Sequence, residues 1–222
     1  MSYLRLFCIR HGQTTAASGS IFNGWTDVDL SETGRRQLDQ AASALKGLRF
    51  DAVWSSDLRR AVYGAKALAA QIGVELVITE EFRELNFGIC EGLPFDEIAK
   101  RHPELAERLS APMGSDFVFP GGESASSFRD RIRGALANLI ERHPQGRVAL
   151  FSHAGVGRAI LANILEMDYG QMWSLQQDHA SLNVIDFFPN GGLRIMLVNG
   201  YLGPEGYYQS GPGFERLAGS LL

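Results

Sequence analysis

The sequence predicts an α/β fold in which a mostly parallel central sheet is covered by helices on both faces. Two observations carry this expectation. Short apolar, β-favouring segments alternate with amphipathic helical patterns along the chain, and the connections between them are short. A third observation concerns chemistry: histidines and an arginine stand where strand-like segments stop, which is where open α/β sheets bind ligands.

Taken in order, residues 3–9 are apolar and β-favouring and end at Arg10-His11-Gly12, which reads as a buried strand. Ser31-x-x-Gly34 precedes a helical pattern through Leu38, Ala41, Ala42 and Leu45, with Gly47 expected as its C-cap. Residues 51–54 form a second short strand, and Ser55-Ser56-Asp57 offers N-cap residues for a helix facing the core through Ala61, Val62, Ala65, Leu68 and Ala69 and ending near Gly73. Residues 74–78 are a third strand. Short helices are expected over 95–101 and after Pro103, within a Pro-, Gly- and Ser-rich stretch, 91–122, that reads as a lid or insertion. Ser124 opens a long amphipathic helix through Phe128, Ile132, Leu136, Leu139 and Ile140. A strand over 147–151, a helix over 155–165, and two strands over 181–188 and 193–198 joined by Pro189-Asn190-Gly191-Gly192 complete the pattern, the last pair adding an antiparallel edge. The Gly- and Tyr-rich tail, 200–222, reads either as an appendage or as a cover over the site.

With 222 residues, 45% hydrophobic and 21% charged, the chain fits a single globular domain spanning 1–222 with a sizeable core. Apolar runs are interrupted well before the ~18 residues that a membrane helix needs. The first residues lack the basic, apolar and small-residue regions of a leader, so the cytoplasm is the expected compartment. Cys8 and Cys90 lie in apolar contexts and are expected to be buried thiols. Neither opens a Cys-x5-Arg phosphatase loop, because Thr14 and Asp96 stand where the arginine belongs. A net charge of −4 without a Lys/Arg tract argues against nucleic acid as a partner. A homodimer is compatible with the sequence.

The first strand leaves through Arg10-His11-Gly12-Gln13-Thr14, and another leaves through Ser152-His153-Ala154-Gly155. A parallel sheet can bring both histidines into one crevice, with glycines that let backbone N–H groups approach an anion. Arg60 stands one turn into a helix, where the dipole disfavours a cation by about 0.3–1 kcal/mol, so a compensating partner is expected there; Arg59 reads as solvated. Glu84 sits among apolar residues in Phe82-Arg83-Glu84-Leu85-Asn86-Phe87-Gly88; it reads either as a surface ion pair with Arg83 or as a desolvated general acid. Two arginines, two histidines and one carboxyl around helix N-termini suit a phosphate dianion. Neutral His11 would attack phosphorus, Arg10, Arg60 and His153 would offset charge on the equatorial oxygens, and Glu84 would protonate the leaving oxygen and then activate water. No cofactor or metal is called for: the chain has no His-x-x-x-His, Asp-rich motif, zinc-spaced cysteine pair or Gly-Lys-Ser/Thr loop.

Five motifs in order resemble the histidine phosphatase superfamily, in its phosphoglycerate mutase-like branch: Arg10 to Thr14, Gly24 to Gly34, Ser55 to Ala61, Glu84 with Phe87 to Gly92, and Ser152-His153, with Pro120 to Ser124 as the loop before the long helix. The resemblance implies a three-layer α/β/α sandwich and a phosphohistidine intermediate, and it selects Arg60 over Arg59 as the phosphate ligand. Ala17 stands where the family often has asparagine, which implies either a weaker grip on phosphate or compensation by Asn23. Gly155 stands where the resembled mutases carry asparagine, and Lys100, Arg101 and Arg108 do not form their paired-arginine element, so hydrolysis is favoured. Thr14, Asn23, Gly24, Phe87 and Ala154 are expected to touch the substrate, with residues 117–119 as further specificity candidates. The expected function is hydrolysis of a small phosphorylated metabolite; a cofactor-dependent mutase and a catalytically inactive phospho-ligand scaffold are the alternatives.

Overall fold

A computed structural model describes residues 2–16, 21–111, 113–203 and 206–209. In chain order the elements are β1 (Leu4–Arg10), α1 (Glu32–Leu45), β2 (Ala52–Ser56), α2 (Arg59–Ile72), β3 (Leu76–Thr79), α3 (Phe95–Arg101), α4 (Pro103–Leu109), α5 (Ala125–Arg142), β4 (Gly146–Ser152), α6 (Ala154–Ile164), β5 (Leu182–Phe187), β6 (Leu193–Gly203) and β7 (Gly206–Gln209). Among the described residues they build one sheet in the order β3-β2-β4-β1-β5-β6-β7. The first four strands are parallel neighbours, and β5, β6 and β7 each join antiparallel.

The two-residue period of a strand sends alternate side chains to opposite faces. On β1, Leu4, Leu6 and Cys8 enter one core with Trp54, Leu150 and the apolar sides of α3, α5 and α6, while Phe7 and Ile9 enter a second core with Val53, Phe151 and the apolar sides of α1 and α2. The sheet is thus the middle layer of an α/β/α sandwich. Arg5, within this apolar strand, is buried and bound by Asp186 of β5 at 2.6 and 2.9 Å.

Most helix ends follow the local chemistry. Ser31 caps α1 by accepting from the Gly34 N–H, Ser124 and Ser127 form a reciprocal capping box at α5, and Gly73 closes α2 with φ 70°. Two expectations are corrected. Gly47 is not a left-handed cap, since Lys46 ends α1 in the αR region. Leu58, rather than Ser55, Ser56 or Asp57, is the N-cap of α2, because the sheet extends β2 through both serines and uses them there.

The 91–122 segment carries α3 and α4 but is tied down, with Ile98, Leu105, Phe117 and Phe119 buried in the first core. Phe117 and Phe119 therefore serve packing, not specificity. In the tail, β6 and β7 extend the sheet edge; Gly211, Gly213 and Phe214 lie outside the described residues, as does Ala17. Among the described residues no helix is long and apolar enough to cross a membrane.

Candidate active site

The β1–β4 ladder ends at the pair Arg10↔Ser152, so the next residues, His11 and His153, emerge side by side. Their rings lie 5.2 Å apart between centroids. The His11 N–H donates to the Ser152 carbonyl at 2.9 Å, and its ring Nδ1 lies 2.7 Å from the Gly12 carbonyl. Because a carbonyl only accepts, Nδ1 carries the proton and Nε2 keeps its lone pair. Gly12 is required here: a Cβ would run into the Gly34 carbonyl, where the start of α1 is packed against the turn. The His153 ring Nε2 lies 2.9 Å from Ser56 Oγ at the end of β2, so three neighbouring strand ends build one site.

Arg60 is fully buried, and its guanidinium donates to the carbonyls of Thr26 at 2.9 Å, Gly24 at 2.6 Å and Asn23 at 3.3 Å. These oxygens compensate for its place near the positive end of α2. Arg59, by contrast, is exposed and pairs with Asp27 and Asp29. Arg10 donates to the Gln177 carbonyl at 2.7 Å and lies 3.2 Å from His179 Nε2. Glu84 is buried, and its carboxylate accepts from the N–H groups of Leu85 and Gly155, both at 2.9 Å. It does not pair with Arg83, which is held by Asp57 and Glu80. A Cβ on Gly155 would overlap the Glu84 carboxylate, so the bare glycine is what lets the acid lie against the N-terminus of α6.

Four of the seven buried side-chain polar atoms without a partner among the described residues belong to this cluster: Arg10 Nε, Arg60 Nε, His153 Nδ1 and the amide oxygen of Asn23. Buried donors are normally satisfied, and two unmet guanidinium N–H groups beside a free imidazole nitrogen suit an oxyanion. The cleft holds about 400 Å³ and is lined by Arg10, His11, Thr14, Asn23, Glu84 and Phe87, with Ala16, Ile21, Phe22, Arg158 and His179. Arg60, His153, Gly24 and Ala154 are not among the lining residues; Arg60 and His153 are fully buried beneath the cleft floor formed by Arg10 and His11. Gly24 lies behind the cleft against Leu85 and Glu91, and Ala154 is the first residue of α6. Among its described residues the 91–122 segment lends no lining residue either. Among the described residues no group of three or more His, Cys, Asp or Glu is arranged to hold a metal ion.

Burial is the largest cause lowering the proton affinity of all three histidines. For His11 the charges of Arg60 and then Arg10 follow; for His153, Arg60; for His179, Arg10, which helps push it down to about 4. Burial also lowers Arg10 to about 10 and raises the Cys8 thiol to about 11. Unfolded imidazoles take up protons near 6.5, whereas the folded ones resist until lower pH, so the unfolded state binds more protons below that value. Stability is therefore full above about pH 6.5 and declines as pH falls toward 4. Urea midpoints at about pH 7.5 and pH 5 check this: the midpoint drops at the lower pH, and His179→Asn narrows the gap. An unmoved midpoint contradicts the neutral, buried imidazoles.

Several contributors escape a local reading of the sequence. Arg158 and His179 line the cleft from α6 and from the residues before β5. Ser56 reaches His153 across 97 residues. Glu91 accepts from the N–H groups of Gly24, Trp25, Thr26 and Phe87 at 2.9–3.1 Å and from the Thr26 hydroxyl at 2.6 Å. It thereby fixes the turn whose carbonyls hold Arg60. Glu91→Ala strips these donors of their acceptor, and a stability loss of about 2 kcal/mol with a parallel fall in activity is expected. Equilibrium urea unfolding measures it, and an unchanged midpoint shows that water replaces the carboxylate at no cost.

Residues 6–199 match the family profile described as "Histidine phosphatase superfamily (branch 1)". Bifunctional protein Rv2228c of Mycobacterium tuberculosis is 33% identical over 201 residues, covering 89% of this chain and 55% of that protein. The chain thus spans about half the length of that relative. Phosphoserine phosphatase 1 of Hydrogenobacter thermophilus is 30% identical over 183 residues, 82% of this chain and 86% of the relative. The solved structure of a mycobacterial glucosyl-3-phosphoglycerate phosphatase superposes with a TM-score of 0.78 at 29% identity, covering 88% of this chain and 98% of that one.

Proposed function

Because this chain belongs to the histidine phosphatase superfamily, branch 1, we propose that it is a metal-independent phosphomonoesterase that hydrolyses a small phosphorylated metabolite through a phosphohistidine on His11. The observation that carries this reading is the His11 ring. Its Nδ1–H is fixed by the Gly12 carbonyl at 2.7 Å, its proton affinity is depressed, and Nε2 has no protein partner among the described residues. An imidazole that is neutral at pH 7 and oriented from behind is an activated nucleophile.

His11 Nε2 attacks phosphorus in line, forming the N–P bond as the ester P–O bond breaks. Arg10 and Arg60 offer their unmet Nε–H groups to the equatorial oxygens. His153 Nε2 is held by the Ser56 hydroxyl at 2.9 Å while its buried Nδ1 is unmet, and in the proposed reaction Nδ1 carries a proton as a further donor to phosphate. Glu84 gives its proton to the departing alkoxide. The same carboxylate then takes a proton from water, which attacks the phosphohistidine and releases inorganic phosphate. Asn23 lines the cleft, and in this reading its amide NH2 group takes the place of the asparagine that Ala17 replaces as a donor to phosphate. The names of two relatives, phosphoserine phosphatase and glucosyl-3-phosphoglycerate phosphatase, support a small phosphorylated substrate. The free thiols Cys8 and Cys90 favour the cytoplasm.

Rapid-quench labelling with a 32P-phosphomonoester tests the reading. Acid-labile phosphate on the peptide containing His11 is expected, and turnover without any trapped label, under single-turnover conditions, defeats it. A mutase has in its favour the resemblance of the Gly24 to Ser31 stretch. Against it, Lys100 and Arg101 are engaged by Glu97, and Arg108 stacks on Phe117, all outside the cleft lining. With 3-phosphoglycerate and catalytic bisphosphoglycerate, free phosphate is expected. Accumulation of 2-phosphoglycerate in its place turns the assignment to mutase.

A further inference from the structure

We infer that Arg158 forms a second anion subsite on the leaving-group side of the cleft, so that the preferred substrate is a phosphomonoester whose alcohol carries a carboxylate. This rests on the phosphatase reading and adds the chemical class of the leaving group.

Arg158 lies on the second turn of α6, five residues beyond His153, half-buried, and lines the same cleft as His11 and Glu84. Its head is fixed from behind: Nε donates to the Leu175 carbonyl at 2.8 Å, and the guanidinium lies 5.7 Å from the Trp173 ring centroid. Nη1 and Nη2 make no hydrogen bond, and Arg158 makes no ion pair, among the described residues.

The place of Arg158 on α6 sets it beside the acid: Glu84 accepts from the Gly155 N–H at 2.9 Å, and Arg158 follows Gly155 by three residues on the same face of that helix and lines the cleft with Glu84, hence beside the oxygen that leaves. Neither nearby acid neutralises it by contact. Both Glu84 oxygens accept backbone N–H groups, and in the bond-breaking step this carboxyl carries the proton. Asp178 is occupied by Asn199, Tyr201 and Gln176. A fixed guanidinium with two open N–H groups matches the planar pair of oxygens of a carboxylate. As a single cation, it suits a monoanion rather than a second phosphate dianion. Ile21, Phe22 and Phe87 offer an apolar wall for the intervening carbons.

The test compares phosphate release from 3-phosphoglycerate and from its near-isosteric carboxamide, with p-nitrophenyl phosphate as reference. The wild-type protein is expected to favour the carboxylate by roughly tenfold or more in kcat/KM, the scale of one charge-assisted contact. Arg158→Gln is expected to bring the pair within about twofold, chiefly through the KM of the carboxylate, and Arg158→Lys to keep part of the preference. Equal wild-type values, a preference that survives Arg158→Gln, or hydrolysis of p-nitrophenyl phosphate with both glycerate esters refused overturns the subsite and leaves the phosphatase reading standing. Failure to release phosphate from all three esters overturns both.

Discussion

Replacement of His11 by alanine is expected to lower kcat/KM for any phosphomonoester by roughly 10⁴-fold or more, because it removes the atom that bonds to phosphorus and leaves only binding and charge stabilisation behind. The scaffold should survive. The imidazole donates to a carbonyl one residue away, and what fixes the strand end is the backbone bond from the His11 N–H to Ser152, which alanine keeps. The measurement is steady-state phosphate release alongside far-UV circular dichroism and thermal unfolding. A folded variant that retains more than a few per cent of wild-type turnover assigns the chemistry to another group and sinks the phosphohistidine route.

Glu84→Gln is the second large effect, and its signature is unequal. Gln keeps the shape and an acceptor oxygen for one of the two N–H groups, of Leu85 or Gly155, which the two carboxylate oxygens accept separately, but it has no acidic proton to give. Alkyl phosphates, whose alkoxide departs only with protonation, should lose about 10²–10⁴-fold in kcat/KM. An aryl ester such as p-nitrophenyl phosphate loses much less in its first step, since nitrophenolate departs unaided. With water no longer activated, phosphoenzyme should then accumulate, visible as a burst of nitrophenolate followed by slow turnover. Equal losses for alkyl and aryl esters, with no burst, remove Glu84 from both proton transfers.

The strands and helices that position this chemistry were legible because their signals are local. The apolar, β-favouring run over 3–9, found as β1 over 4–10, the helix ends marked by Ser31, Ser124 and Gly73, and the helix over 95–101 all follow the local pattern. His11 and His153 were legible for a related reason: strand exits in a parallel sheet converge whatever the loops do. Arg60 announced itself as a cation on the wrong end of a helix. What escaped depends on pairings that only folding creates. Ser56 holds the His153 ring, 97 residues away, by a hydrogen bond rather than capping a helix, and Glu84 answers to Gly155, 71 residues away, rather than to its neighbour Arg83. Glu91 acts on a turn 65–67 residues earlier. His179 and Arg158 join the cleft through β5 and α6, and no periodicity marks either.

The final rung of the β1–β4 ladder has a consequence for how the protein dies on heating. The spacing of the two imidazoles is set by hydrogen-bonded backbone whose alternate side chains, Leu6 and Leu150 among them, fill one of the two cores. A slip of one residue in either strand sends its imidazole to the opposite surface and its leucine into the wrong layer. Alignment of the reacting pair and dryness of the interior therefore stand or fall together. Inactivation should track global melting, with no intermediate range of temperature in which a compact molecule has gone silent.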